Sequence, residues 1–331
     1  TMPTVTITQK EKDALIEAIK ASESGSITIS NPHAGLKLAS TNPSISDFTS
    51  WGVTPDLKLK PEIAAPGGDI MSAYLGNEYQ RLSGTSMASP QVAGISALVR
   101  ERLAGDPAFS GMSAEQKNAV VTNLLMGTAH PLIDVELSDG TYYSPRKVGA
   151  GAVDAVAATT ATVYPTVVGA ADPSRPKADL GDGTKGWTFQ VQLTNLSDAA
   201  YTYTLGGQAL SEMVEEGLFL EHSQNWAGAG ISLTFSGDGV AEAGDAQQIT
   251  VPAMSNATVT VTVTPESEFA AFASENTPKG TFIDGAVTFT SEDGTPSLTV
   301  PYLGFYGNWG KAPIFDALAS EGGAHTLPSG I

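Results

Sequence analysis

The stretch RLSGTSMASPQVAGISALV, residues 81–99, sets a serine among small residues directly before an apolar helical run. A serine that attacks a carbonyl needs its Oγ exposed on a tight turn. It also needs a backbone N–H aimed at the oxygen that becomes negative. A helix N-terminus close by favours that charge. Gly84 is a small residue before the turn, Ser86 stands at the expected helix start, and Met87, Ala88 and Ser89 fill the first turn. Pro90 is expected early enough that little backbone bonding is required of it. The same pattern would also suit a Ser/Thr cap with small residues for close packing.

A serine hydroxyl is a weak nucleophile without a base, so the next question is where a histidine and its carboxylate lie. The chain has four histidines: His33 in NPHAGL, His130 in GTAHPL, His222 in LEHSQN and His325 in GGAHTL. It has no cysteine, which removes thiol catalysis, disulfides and thiolate metal sites. Glu212, Glu215 and Glu216 lack the spacing of a cation-binding loop and read as a solvated acidic face. Asp154, Asp172 and Asp182 form no recognisable set. Asn195-Leu-Ser197 and Asn256-Ala-Thr258 are glycosylation sequons by pattern alone. Trp226, Tyr79, Tyr142 and Tyr143 suit core or ordinary surface roles better than a binding surface.

The elements that must hold the serine can be read from periodicity. Thr8, Gln9, Lys10 and Glu11 form a capping box before a helix over about residues 9–21. Residues 25–30, GSITIS, alternate as a strand. Residues 36–83 are rich in Pro, Gly and Ser, with DFTSWG, KPEIAAPGG and DIMSAY expected as loops joining short strands. Val92, Ile95, Leu98, Val99 and Leu103 recur at helical spacing up to Gly105-Asp106-Pro107. Residues 113–126 give a second helix. The region up to about Ala158 is therefore expected as α/β. From Val163 onward strict alternation takes over: WTFQVQL places Trp187, Phe189, Val191 and Leu193 on one face, and ATVTVTVTP does the same with Val259, Val261 and Val263. That pattern predicts an antiparallel β-sandwich. GDGT, SDGT and EDGT read as turns.

Bulk composition sets outer bounds. The chain has 331 residues, which suits two domains. Its 17 Lys and Arg against 35 Asp and Glu give −18, so it is a poor partner for nucleic acid or for an anionic membrane surface. No apolar run approaches the roughly 20 residues of a membrane helix. No signal peptide opens it, and the expectation is that the chain starts in mid-protein.

GTSMASPQVAG resembles the nucleophile motif of the subtilisin-like serine proteases. That family usually carries His where this chain has Gln91, at a packing position rather than the catalytic base. SDFTSWGVTPDLKLKPEIAAPGGDIMSAY resembles the segment before the serine, and NLLMGTAHPL with YYSPRKVGAGAVDAVAA the end of the protease domain. SWG, KPEIAAPGG and GAGAVD are especially similar to the cell-envelope proteinases of Gram-positive bacteria, the lactocepin and streptococcal complement-cleaving peptidase group. TMPTVTITQKEKDALIEAI resembles the end of that group's protease-associated insert, and VPYLGFYGNWGKAPIFD the close of its fibronectin type III-like sandwich.

The resemblance implies four parts. Residues 1–30 end an insert domain, and residues 31–160 are the C-terminal part of a subtilisin-like α/β catalytic domain. Residues 161–318 are a fibronectin type III-like all-β sandwich, and residues 319–331 a tail or linker. It implies Ser86 as nucleophile with its N–H in the oxyanion hole, and Thr85 and Gly84 in the oxyanion and substrate wall. No histidine stands in the family's His-Gly-Thr setting, and no aspartate in its Asp-Ser/Thr-Gly turn. Gly307-Asn308-Trp309-Gly310 matches part of the oxyanion-Asn pattern but follows the serine, so it reads as a sandwich turn, and Asn77 lacks the rest of that pattern. The triad Asp and His and the oxyanion Asn are therefore expected upstream, and the isolated chain is expected to be inactive. Substrates would be extracellular proteins or peptides, with wall attachment through regions outside this chain. No cofactor is expected; structural calcium is allowed for, with no ligands assigned. The rival reading is a non-catalytic binding or adhesion module, or a pseudoprotease.

Overall fold

A computed structural model of the chain describes residues 16, 17, 20, 43–291 and 293–311. Residues 16, 17 and 20 are helical, and Lys20 Nζ lies 2.8 Å from Glu17 Oε1, as i,i+3 neighbours on one face do. The rest of the helix expected over residues 9–21, the strand over 25–30, His33, His325 and residues 319–331 lie outside the described residues. The unit described next runs from residue 43 onward.

Two strands, β1 (Ile70–Tyr74) and β2 (Glu78–Leu82), pair antiparallel as an exposed hairpin. DIMSAY is thus largely strand, where the sequence reading expected a loop. Gly76 and Asn77 both take positive φ, and this returns the chain so that the short run finds a partner. Helix α1 (Thr85–Gly105) follows at once, then α2 (Ala114–Gly127), α3 (Pro145–Val148) and α4 (Ala155–Thr160). Helix α2 begins where Ser113 and Gln116 form a complete capping box. Val99 and Leu103 of α1 pack with Val120, Val121, Leu124 and Leu125 of α2, and with Ala158 of α4. Each such fully buried branched side chain contributes roughly 1.5–3 kcal/mol of transfer free energy.

Pro90 differs from expectation. It is the sixth residue of α1, inside the helix rather than in its first turn. It therefore has no N–H to offer the carbonyl of Ser86, four residues earlier.

The β-rich part has two sheets. The strands are β3 (Val163–Val167), β4 (Ala178–Gly183), β5 (Trp187–Asn195), β6 (Tyr201–Glu215), β7 (Leu218–Asn225), β8 (Ile231–Ser236), β9 (Val240–Ala243), β10 (Ala246–Val251), β11 (Asn256–Pro265), β12 (Thr281–Ser291) and β13 (Leu298–Tyr306), with helix α5 (Ser267–Asn276) between β11 and β12. One sheet runs β3-β5-β11-β8; the other runs β4-β13-β12-β6-β10-β9, with β7 added to β6. The alternating faces meet as their sequence dictates, with Phe189, Val191, Leu193, Val259, Val261 and Val263 all buried in one core. The pairing is antiparallel throughout except β4 with β13, which is parallel. Gly181, Asp182 and Gly183, read from sequence as a turn, lie within β4. Trp226 belongs to this core, its ring edge-on to Phe269 at 5.3 Å and its Nε1–H donating to Ser211 Oγ at 2.9 Å.

Asn195, at the end of β5, is fully buried. Its Nδ2 donates to the carbonyls of Ala199, Val251 and Pro252 at 2.7, 3.3 and 3.1 Å, and its Oδ1 accepts from Ser197 N. A buried amide so fully partnered is a structural hub.

Candidate active site

Ser86 is the second residue of α1 and is exposed. Gly84, the cap before it, has φ 151° and ψ 162°, a conformation open to glycine and strained for any side chain. Gly84 N donates to Gly67 O at 2.8 Å, and Met87 N donates to Gly84 O at 2.9 Å. No side chain caps the helix. The N–H groups of Thr85 and Ser86 therefore lie in the first turn, which has no intrahelical acceptor for them, and at the positive end of the helix dipole. Thr85 is exposed beside Ser86. Among the described residues the Ser86 hydroxyl has no hydrogen-bond partner. An accessible hydroxyl with free N–H groups at a helix start is what oxyanion stabilisation asks of the nucleophile's side of a site.

The turn is held from behind. A Cβ on Gly67 would stand 2.8 Å from Gly84 O, so the two backbones come this close only because residue 67 carries no side chain. Gln91 Nε2 donates to Pro66 O at 2.6 Å and reaches Met87 O at 3.3 Å. The Gln91 amide thus ties α1 to Pro66. Asp69 N donates to Ser83 Oγ at 2.8 Å, and Arg81 NH1 lies 2.6 Å from Asp69 Oδ2.

Segment 59–67 is itself gripped at several points. Ala64 N donates to Gly151 O, Val153 N to Ala64 O, and Ala150 N to Glu62 O, all at 2.8–2.9 Å. Gly149 permits this approach, since a Cβ there would stand 2.2 Å from Glu62 C; Gly151 likewise lets His130 close on its other side, where a Cβ would stand 2.0 Å from His130 O, and both residues have positive φ. Lys177 Nζ donates to Leu59 O at 2.6 Å and lies 3.5 Å from Glu62 Oε1, while Arg175 Nε lies 3.2 Å from the same oxygen. Burial opposes ionisation of Glu62. The Lys60 hydrogen bond and the charges of Lys177, Lys60 and Arg175 outweigh it and hold its carboxyl below the ordinary value.

A buried charge cluster joins α3 to the sandwich. Arg146 Nε donates to Asp284 Oδ2 at 2.6 Å, its NH1 lies 2.9 Å from Glu212 Oε1, and Ser144 Oγ donates to the same Asp284 oxygen at 2.6 Å. The guanidinium also stacks 4.4 Å over the Phe282 ring. Burial works against the Arg146 charge, but Asp284 and Glu212 outweigh it and hold the group above its usual range. Burial likewise pushes Asp284 up, against the pull of Arg146. Glu212, read from sequence as part of a solvated face, is therefore a partly buried partner of Arg146, whereas Glu215 and Glu216 are exposed.

The histidines are placed elsewhere. His130 Nε2 lies 2.8 Å from Asp154 Oδ2, at the start of α4, where Asp154 also accepts from Ala157 N. His222 Nδ1 lies 2.8 Å from the buried Asp134 Oδ2. Neither bonds Ser86. Asn308 stands exposed before a short 3-10 turn at Trp309–Lys311, and Asn77 forms the hairpin turn. Asp172 pairs with Arg175, and Asp182 Oδ2 accepts from Trp309 N at 2.8 Å. Tyr79 is exposed, while Tyr143 is buried. Among the described residues no group of three or more His, Asp or Glu is arranged to hold a metal, and no helix is long and apolar enough to cross a membrane.

Residues 7–154 match the subtilase family and residues 179–303 match an Fn3-like domain, so a segment similar to subtilases is followed by one similar to Fn3 modules. Its relatives include the C5a peptidase of Streptococcus pyogenes serotype M1, 31% identical over 327 residues, 96% of this chain and 25% of that protein. The PI-type proteinase of Lactococcus lactis subsp. cremoris is 32% identical over 284 residues, 84% of this chain and 14% of that protein. The PII-type proteinase of Lacticaseibacillus paracasei is 31% identical over 334 residues, 96% of this chain and 16% of that protein. The chain thus spans a quarter or less of the length of these relatives.

Proposed function

We propose that this chain is part of a secreted or cell-wall-attached serine endopeptidase of a Gram-positive bacterium, and that Ser86 is its nucleophile. The observation that carries the reading is the Ser86 turn: an exposed hydroxyl on the first turn of α1, behind a glycine at φ 151° and with no competing side-chain cap. Ser86 attacks the peptide carbonyl as its proton passes to the base, and its own N–H helps hold the oxyanion; the C–N bond then breaks, the amine leaves with that proton, and water hydrolyses the acyl ester to free the serine. Thr85 and Gly84 line the approach. On this reading the base and its carboxylate come from residues upstream, since no histidine of the chain stands in the His-Gly-Thr setting of the subtilisin-like proteases and neither described histidine bonds Ser86. The isolated 331-residue chain is then inactive, and its substrates in the whole protein are extracellular proteins or peptides.

The experiment is labelling with a fluorophosphonate probe alongside hydrolysis of a casein-like substrate. The full-length protein should label at Ser86, Ser86→Ala should abolish both readouts, and the 331-residue chain should show neither. A full-length protein that folds yet neither labels nor hydrolyses would favour a binding module and overturn the nucleophile reading. Peptide hydrolysis by the short chain that Ser86→Ala removes would overturn its inactivity.

A further inference from the structure

We propose that Lys177 of the sandwich is a positioning residue for Ser86, acting through segment 59–67; this rests on the reading of Ser86 as nucleophile. Lys177 lies one residue before β4 and is only 7% exposed. Burying an ammonium is costly unless it is well partnered. Its partners are all on or beside the segment behind the serine: Leu59 O at 2.6 Å, Glu62 Oε1 at 3.5 Å and Asp179 Oδ2 at 4.0 Å. Leu59, fully buried, gives its N–H to Asp179 Oδ1 at 2.7 Å. Both backbone polar groups of Leu59 are thus held by side chains of the sandwich.

From there the lever is short. Glu62 is three residues on, clamped by Lys177 and Arg175. Ala64 is bonded on both sides to Gly151 and Val153, which leaves little slack. Pro66 and Gly67 then accept from Gln91 and Gly84, and Ser86 is two residues past Gly84. Each step between segments is a direct hydrogen bond or ion pair, and the remaining steps are a few residues of backbone. A productive serine must be held to within roughly 0.5 Å. A misplacement of about 1 Å can cost on the order of 100-fold in rate. The sandwich therefore acts as the rear support of the nucleophile's turn.

The first arm of the test uses the full-length protein carrying Lys177→Met, with active sites titrated by the fluorophosphonate. We expect kcat to fall about 10-fold with KM held within about twofold. Glu62→Gln, which keeps the shape and removes the charge, should act in the same direction. It serves as the readout if Lys177→Met does not fold. Combined, the two should cost less than the product of the single effects, because they cut one link. The second arm measures amide exchange at Gly84 and Met87 in the 331-residue chain, which should rise about 10-fold in Lys177→Met while α2 amides hold. A loss of thermal stability with kcat unchanged, or unchanged exchange at Gly84, overturns the positioning link. A Ser86→Ala protein that stays active overturns the nucleophile reading instead, and the exchange arm remains readable without it.

Discussion

Replacing Arg146 with Met removes the one cation set between two carboxylates at the join of α3 and the sandwich. Asp284 is 0% exposed and loses its 2.6 Å partner, keeping only Ser144, while Glu212 loses a 2.9 Å contact. Breaking a buried ion pair by removing one side costs about 3–5 kcal/mol, because it leaves a charge without a partner. For a cooperative unit of this size that is on the order of 6–20 °C in Tm. The pH dependence has a definite sign. Burial already raises Asp284 above its ordinary 3.8, and loss of Arg146 raises it further. A folded carboxyl titrating above its unfolded value costs stability at pH above both, and that cost shrinks as pH falls toward the unfolded value. Urea unfolding followed by circular dichroism at pH 7 and pH 5 should therefore show a larger deficit at pH 7. Adding Asp284→Asn should recover roughly half of the deficit, since the fully buried charge is then gone and only the partly exposed Glu212 is left without its cation. An Arg146→Met protein within about 1 kcal/mol of wild type at pH 7, or a deficit that grows in acid, would refute this account of the cluster.

Gly151→Ala should cost about 3 kcal/mol or more in thermal unfolding, because φ is 118° there and a Cβ would meet His130 O at 2.0 Å. Asp154→Ala should cost about 1–2 kcal/mol at pH 7 by uncapping α4. Burial opposes Asp154 ionisation, but the hydrogen bonds from Ala157 and His130 win and hold its carboxyl below 3.8. Its contribution is therefore present above the unfolded pKa and fades as pH falls through the folded one, so the variant's deficit should narrow in unfolding curves below about pH 4.

Local physics made much of this fold legible. Ser113 and Gln116 announce α2 three residues apart, and the alternation of Trp187, Phe189, Val191 and Leu193 needs only a two-residue period. The serine turn was visible because its constraints are also local: small residues, then an apolar helical stripe. What stayed hidden depends on distance. Arg146 and Asp284 lie 138 positions apart, and Lys177 and Leu59 lie 118 apart, so nothing nearby marks Glu212 as partly buried or Lys177 as interior. The β1–β2 hairpin was missed because both its faces are exposed, and no alternation is imposed on a ribbon without a dry side. Gly181-Asp182-Gly183 looked like a turn, but tertiary pairing with β13 drew it into β4.

The buried Asn195 bears on how the protein can be produced. Its sequon and that of Asn256 look equivalent, yet Asn195 lies inside a closed set of carbonyls while Asn256 is exposed at the start of β11. A secretory host that attaches glycans to the emerging chain would modify both before either is enclosed. A sugar on Asn256 would stay in solvent. One on Asn195 would occupy the space its amide needs, and those molecules would be held back from completing the sandwich. Asn256 is the position that can be decorated, and Asn195 is the one a glycosylating host turns into a folding fault.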